Sequence, residues 1–141
     1  MRILFISNSL RRHVYTLLRL AIAAQETGHD VVFATGADLA PAVEDRGIFA
    51  WAVGLDHLQL CAVPNSWFGY FELAAERRAH QVITRARAWK PDLVVHEETE
   101  LSGVLVAAVT GARQVVHGVG PMPSRKVRDL LSQAGERLGR R

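Results

Sequence analysis

An α/β domain built on a parallel sheet of about five strands, with helices on both faces, is the fold this sequence predicts. Two observations carry the prediction. Short apolar runs alternate with segments whose apolar residues recur at helical spacing. The first run, Ile3-Leu4-Phe5-Ile6, is uninterrupted, as suits a strand buried on both faces. Strand–helix–strand units close through right-handed crossovers, and the natural order of the sheet is then 3-2-1-4-5. Such a sheet is Rossmann-like.

The elements follow in order. Arg2–Ser7 is the first strand. From His13 to Thr27 the positions Val14, Leu17, Leu18, Ala21 and Ile22 fall on one helical face, and Gly28 stops the helix. Val31–Ala34 is the second strand, Asp38 is placed to cap a short helix ending near Gly47, and Ile48–Val53 is the third strand. Gly54–Gly69 reads as one long, irregular and hydrophobic stretch, which in a compact domain marks function or mobility. Tyr70–Lys90 is the longest helix, with Phe71, Ala74, Ala75, Val82, Ile83, Ala86 and Trp89 along one face. Pro91 ends it, because proline disfavours helix in the residue before it. Leu93–His96 is the fourth strand, Leu101–Thr110 a helix of small residues, and Gln114–His117 the fifth strand.

The 141 residues suffice for one domain, and 49% apolar with 22% charged residues is ordinary for a soluble globular chain. Cys61 is the only cysteine, which excludes an internal disulfide and a multi-cysteine metal site; in its apolar setting it is expected to pack rather than react. No apolar run reaches the roughly 18 residues of a membrane span, and the N-terminus lacks signal-peptide anatomy, so a cytoplasmic location is expected. The net charge of +3 is uneven: between Ser124 and Arg141 stand six basic residues and two acidic ones, which puts +4 there and −1 in the rest. Such a tail can meet nucleic acid or an acidic membrane, but a solvated helix at a domain edge accounts for it, and no nucleic-acid partner is expected.

In an open parallel sheet, ligands bind beyond the carboxyl ends of the strands where strand order reverses, here between the first and fourth strands. The residues leaving those strands are Ser7, Asn8 and Ser9 on to His13, and His96, Glu97, Glu98 and Glu100. An imidazole and a carboxylate facing one crevice can work as a general base and its orienting partner. The alternatives are a partly solvated histidine at a helix start and solvated loop carboxylates. Leu58, Leu60, Val63, Trp67, Phe68 and Phe71 either line an apolar ligand pocket or simply cover the sheet. The first strand is not followed by a glycine-rich dinucleotide fingerprint. There is no phosphate-binding P-loop, and His96-Glu97-Glu98-Thr99-Glu100 lacks the second histidine of a zinc-protease motif. No metal or cofactor is expected.

Several segments resemble a known family. Arg12-His13-Val14-Tyr15-Thr16-Leu17-Leu18-Arg19-Leu20-Ala21 is similar to a GHVNPLLPLA stretch. Glu26-Thr27-Gly28-His29-Asp30-Val31 resembles a GHEV turn, and Trp89-Lys90-Pro91-Asp92-Leu93-Val94-Val95-His96-Glu97, with Ser102-Gly103 and Ala107-Ala108 after it, resembles a PDLVV strand and its following helix. Val116-His117-Gly118-Val119-Gly120-Pro121 is similar to the next strand and loop. All belong to the two-domain GT-B glycosyltransferases that decorate antibiotics and other lipophilic small molecules.

The resemblance implies that residues 1–121 are the acceptor-binding part of an inverting glycosyltransferase, with 122–141 a basic C-terminal helix or tail. It implies that His13 deprotonates an acceptor hydroxyl, which attacks the anomeric carbon of a nucleotide-activated sugar. Glu97 orients the histidine, with Glu98 as the runner-up. Asn8, Ser9, Trp67, Phe68, Glu98 and His117 are the candidate substrate-binding residues. Arg12, Tyr15 and Thr16 replace the family's glycine, asparagine and proline beside the proposed base. The donor-binding domain is expected to be absent, leaving the chain inactive alone and in need of a donor-domain chain or of self-association. A non-catalytic helper derived from such an enzyme is the alternative.

Overall fold

In the computed structural model the described residues are 1–62, 67–120 and 125–140, and the side chains of 67–70 lie outside that description. Five strands, β1 (Arg2–Ile6), β2 (Asp30–Thr35), β3 (Phe49–Ala52), β4 (Leu93–Glu97) and β5 (Arg113–His117), form one parallel sheet ordered β3-β2-β1-β4-β5. The predicted order is the observed one. Ile6 stands beside Ala34 of β2 on one side and His96 of β4 on the other, so the reversal point lies between β1 and β4.

The alternation of β1 assigns each residue to a layer. Ile3 and Phe5 face helix α1 (Arg11–Glu26) and helix α2 (Ala40–Glu44), meeting Val14, Leu17, Leu18, Ala21 and Val43. Leu4 and Ile6 face helix α4 (Trp67–Trp89) and helix α5 (Ser102–Thr110), meeting Val82, Ala86, Val106 and Ala107. Period two in the strand and about 3.6 in the helices make both layers close on one sheet. Each valine, leucine, isoleucine or phenylalanine side chain buried there contributes about 1.5–3 kcal/mol before entropy is counted. Helix α6 (Arg125–Gly139), which carries the basic segment, seats Leu131, Ala134 and Leu138 against Ala75 and Leu101. Its exposed Arg137–Glu72 pair, 2.9 Å apart, adds little to that apolar contact.

Three local expectations are corrected. Gly54–Gly69 is not irregular throughout: helix α3 (His57–Cys61) occupies part of it, and α4 begins at Trp67. Asp56 caps α3 by accepting from the Gln59 amide at 2.8 Å, while the Gln59 side chain accepts from the Asp56 amide at 3.0 Å. Asp38 does not cap α2, whose N-cap is Leu39; its carboxylate accepts instead from the Ser9 hydroxyl at 2.5 Å and the His57 amide at 3.0 Å. A Cβ at Gly36 would lie 2.5 Å from Ser9 Oγ, so this contact needs the glycine. Cys61 is exposed rather than packed. The edge strand β5 leaves Val115 47% and Val116 55% exposed, one on each face.

Candidate active site

The site forms at the carboxyl ends of β1 and β4, in the turns that lead from them into α1 and α5. After Ile6 the chain runs through buried Ser7, Asn8 and Ser9 before α1 starts at Arg11, which places His13 in the first turn above the sheet's carboxyl edge. Glu97 ends β4 on the α1 side of the sheet. Nδ1 of His13 lies 3.0 Å from Oε1 of Glu97. Glu97 is fully buried, whereas the His13 side chain keeps 14% exposure. Since Nδ1 itself is buried, that exposure belongs to the other atoms of the side chain.

Glu97 is held by a full set of donors. Asn8 Nδ2 donates to Oε1 at 2.8 Å, and the Thr99 amide and hydroxyl donate to Oε2 at 2.8 and 2.5 Å. Burial pushes the Glu97 carboxyl up, but the His13 imidazole and the Thr99 donors outweigh it and hold the group below the ordinary carboxylate value. The carboxylate is therefore ionised where it meets His13. A carboxylate held in that position can orient an imidazole that serves as a general base.

Behind Glu97 lies a second buried layer that the sequence did not disclose. Asn8 Oδ1 accepts from Arg78 Nη1 at 3.1 Å, and Arg78 forms an ion pair with Glu100, both fully buried. Glu100 also accepts from the Ser102 amide at 3.0 Å and from the Ser102 hydroxyl. Glu97 and Glu100 are thus interior groups, correcting the alternative that they are solvated loop carboxylates. Arg78 had left a signal: it interrupts the apolar stripe of α4 between Ala74 and Val82, a place where a charge has to have a buried partner.

His96 leaves β4 on the opposite face, against α5, where its ring fills the space that a side chain at Gly103 would take: a Cβ there would collide with the ring. Burial lowers the His96 pKa, and the nearby carbonyl and charge of Glu97 only partly oppose that. The folded protein therefore favours the neutral ring, while the unfolded chain protonates near the ordinary value of 6.5. Stability is whole above that value and falls as pH drops below it. Urea unfolding at about pH 8 and about pH 5.5 should show this loss. His96→Gln should remove much of the difference, and an unchanged difference would exclude His96 as its source.

The structure brings His13, Glu97 and Asn8 together. Both ends of the Asn8 side chain are engaged within the protein, and the Ser9 hydroxyl is taken by Asp38. Glu98 is half-buried and points elsewhere, lining a cavity of about 450 Å³ with His96, Leu101, Val104, Val116 and Leu131. A smaller cavity of about 320 Å³ is lined by Ser9, Arg11, Asp38, Leu39, His57 and Leu58. His117 ends β5 beside Glu97 and accepts from the Glu98 amide at 3.2 Å through its carbonyl. The side chains of Trp67 and Phe68 lie outside the described residues. Among the described residues no cluster of three or more His, Cys, Asp or Glu could hold a metal ion, and no helix is long and apolar enough to cross a membrane.

No family model matches the chain. It is 34% identical to L-demethylnoviosyl transferase of Streptomyces niveus over 98% of its length, and 30% identical to 10-deoxymethynolide desosaminyltransferase of Streptomyces venezuelae over 79%. It spans 39% and 34% of those two proteins. Among solved structures it superposes on the glycosyltransferase SnogD of Streptomyces nogalater with a TM-score of 0.81 and 32% identity, covering 99% of this chain and 41% of SnogD. The glycosyltransferase SsfS6 of Streptomyces sp. SF2575, complexed with thymidine diphosphate, matches with a TM-score of 0.76 and 25% identity, over 98% of this chain and 43% of SsfS6.

Proposed function

Since the chain belongs with the N-terminal domain of the GT-B glycosyltransferases of the antibiotic and natural-product type, we propose that it binds a lipophilic acceptor and activates one of its hydroxyls for attack on a nucleotide-activated sugar. The single observation that carries this reading is the contact of His13 with buried, ionised Glu97 at 3.0 Å. With Nδ1 turned to Glu97, Nε2 is the atom that takes the acceptor proton. The acceptor oxygen forms a bond to the anomeric carbon as the bond from that carbon to the nucleoside diphosphate breaks. Attack from the face opposite the leaving group inverts the configuration. The proton stays on His13, balanced by Glu97, and the electron pair leaves with the diphosphate, which for a thymidine-linked donor is the molecule bound in the SsfS6 complex.

The chain spans about two fifths of its relatives, so turnover calls for a donor-binding domain as well. A helper that kept only the fold would have no use for an intact His13–Glu97 pair, and its retention beside the changed residues Arg12, Tyr15 and Thr16 favours catalysis. Titration of the chain with a panel of lipophilic aglycones, followed by backbone amide shifts, tests acceptor binding. The largest shifts should fall on residues 8–13 and 97–100. Shifts confined to other surfaces, or none with any aglycone, would overturn the reading.

A further inference from the structure

The outward row of α1 carries a feature that the hydroxyl-activating role does not use. Arg11, Tyr15 and Arg19 lie one turn apart on one row, with Arg12 and Thr16 on the next, and these five residues line a groove of about 520 Å³. No carboxylate lines it. Arg11, Arg12 and Arg19 form no ion pair among the described residues. Three unneutralised guanidinium groups along one concave strip repel each other and attract an anion.

The groove is not remote from the reacting atoms. Arg11 also lines the cavity that holds Ser9 and Asp38, and Arg12 is the residue before His13. The Arg12 guanidinium crosses to the loop after β5, where a Cβ at Gly120 would lie 3.0 Å from Nη2. It therefore stands over the carboxyl edge of the sheet, on the same rim as the His13 ring.

Resting on the function proposed above, we infer that Arg12, with Arg11, is a phosphate-binding residue that this chain contributes to the donor side of the cleft, holding the diphosphate of the sugar nucleotide beside His13. Guanidinium groups suit that role because they stay charged and their paired N–H groups match phosphate oxygens. Negative charge builds on the diphosphate as its bond to the sugar breaks, so an arginine placed there stabilises the departing group as His13 takes the acceptor proton.

Calorimetric titration of the chain with thymidine diphosphate and with inorganic pyrophosphate tests the inference. Both should bind and compete for one site. Arg12→Ala should weaken each by about tenfold, and Arg12→Lys by less. Arg113→Ala, which removes a distant exposed arginine of β5, should leave both unchanged. Failure of both anions to bind the unaltered chain would overturn the inference. So would Arg12→Ala binding like the unaltered chain, or Arg113→Ala losing as much as Arg12→Ala, which is the result that general surface charge gives. Aglycone binding that survives any of these results leaves the acceptor role standing, whereas its absence removes both.

Discussion

On the function proposed above, His13→Ala should lower sugar transfer by about a thousandfold in an assay that includes a donor-binding domain, and Glu97→Gln by about a hundredfold. The two losses differ because the residues stand at different distances from the reaction. Removing His13 would delete the proposed proton acceptor itself. Glutamine in place of Glu97 keeps the shape of the site but takes away the charge that balances a protonated imidazole, and its amide can turn a donor toward Nδ1. Affinity for the aglycone should change only a few-fold in both variants, since neither residue is asked to hold the acceptor's apolar body. Single-turnover rates measured beside aglycone affinities check this. A His13→Ala enzyme within tenfold of the original would end the general-base role.

The largest effect on stability is expected at a fully buried residue behind the candidate site. Arg78→Leu leaves Glu100 as a charge buried without its counter-ion, with only the Ser102 donors to hold it among the described residues. Breaking such a pair from one side costs about 3–5 kcal/mol, a large part of the stability of a domain this size. It also removes the donor that fixes Asn8, and through Asn8 the seat of Glu97. Denaturant unfolding of Arg78→Leu and of the double variant with Glu100→Leu distinguishes charge from packing. The double variant should recover much of the loss, because two apolar groups leave nothing uncompensated. Equal losses in both variants would assign the cost to packing alone.

The parallel sheet was legible because β1, β2 and β4 lie in its interior and are apolar on both faces, which leaves an unbroken run in the sequence. The resemblance pointed to His13 and Glu97, and the predicted strand order explained how residues more than eighty positions apart could meet. Burial was the harder quantity to read. Three glutamates within four positions look alike in the sequence, yet Glu97 and Glu100 are enclosed and Glu98 is not, because strand alternation and the turn after β4 send them to different places. A carboxylate before a short helix is the usual capping arrangement, and Asp38 reads as one in the sequence. Here Ser9, brought in from the end of β1, competes for it successfully. The α3 capping box of Asp56 and Gln59 is a local signal set within a stretch that otherwise reads as irregular.

The contacts through Asn8 have a direction, and the direction restricts what heredity can do with the position. Its amide nitrogen gives to Glu97, and its oxygen receives from Arg78. Aspartate has the same outline but would set a third negative charge between two carboxylates, and leucine would offer nothing to either neighbour. Among coded side chains of this reach, asparagine alone has a donor at one tip and an acceptor at the other. A lineage that kept the fold while abandoning the chemistry would be free to lose His13 from the rim, but it could change Asn8 only together with Arg78 and Glu100. The order in which such residues disappear from a set of descendants would date the loss of activity against the loss of structure.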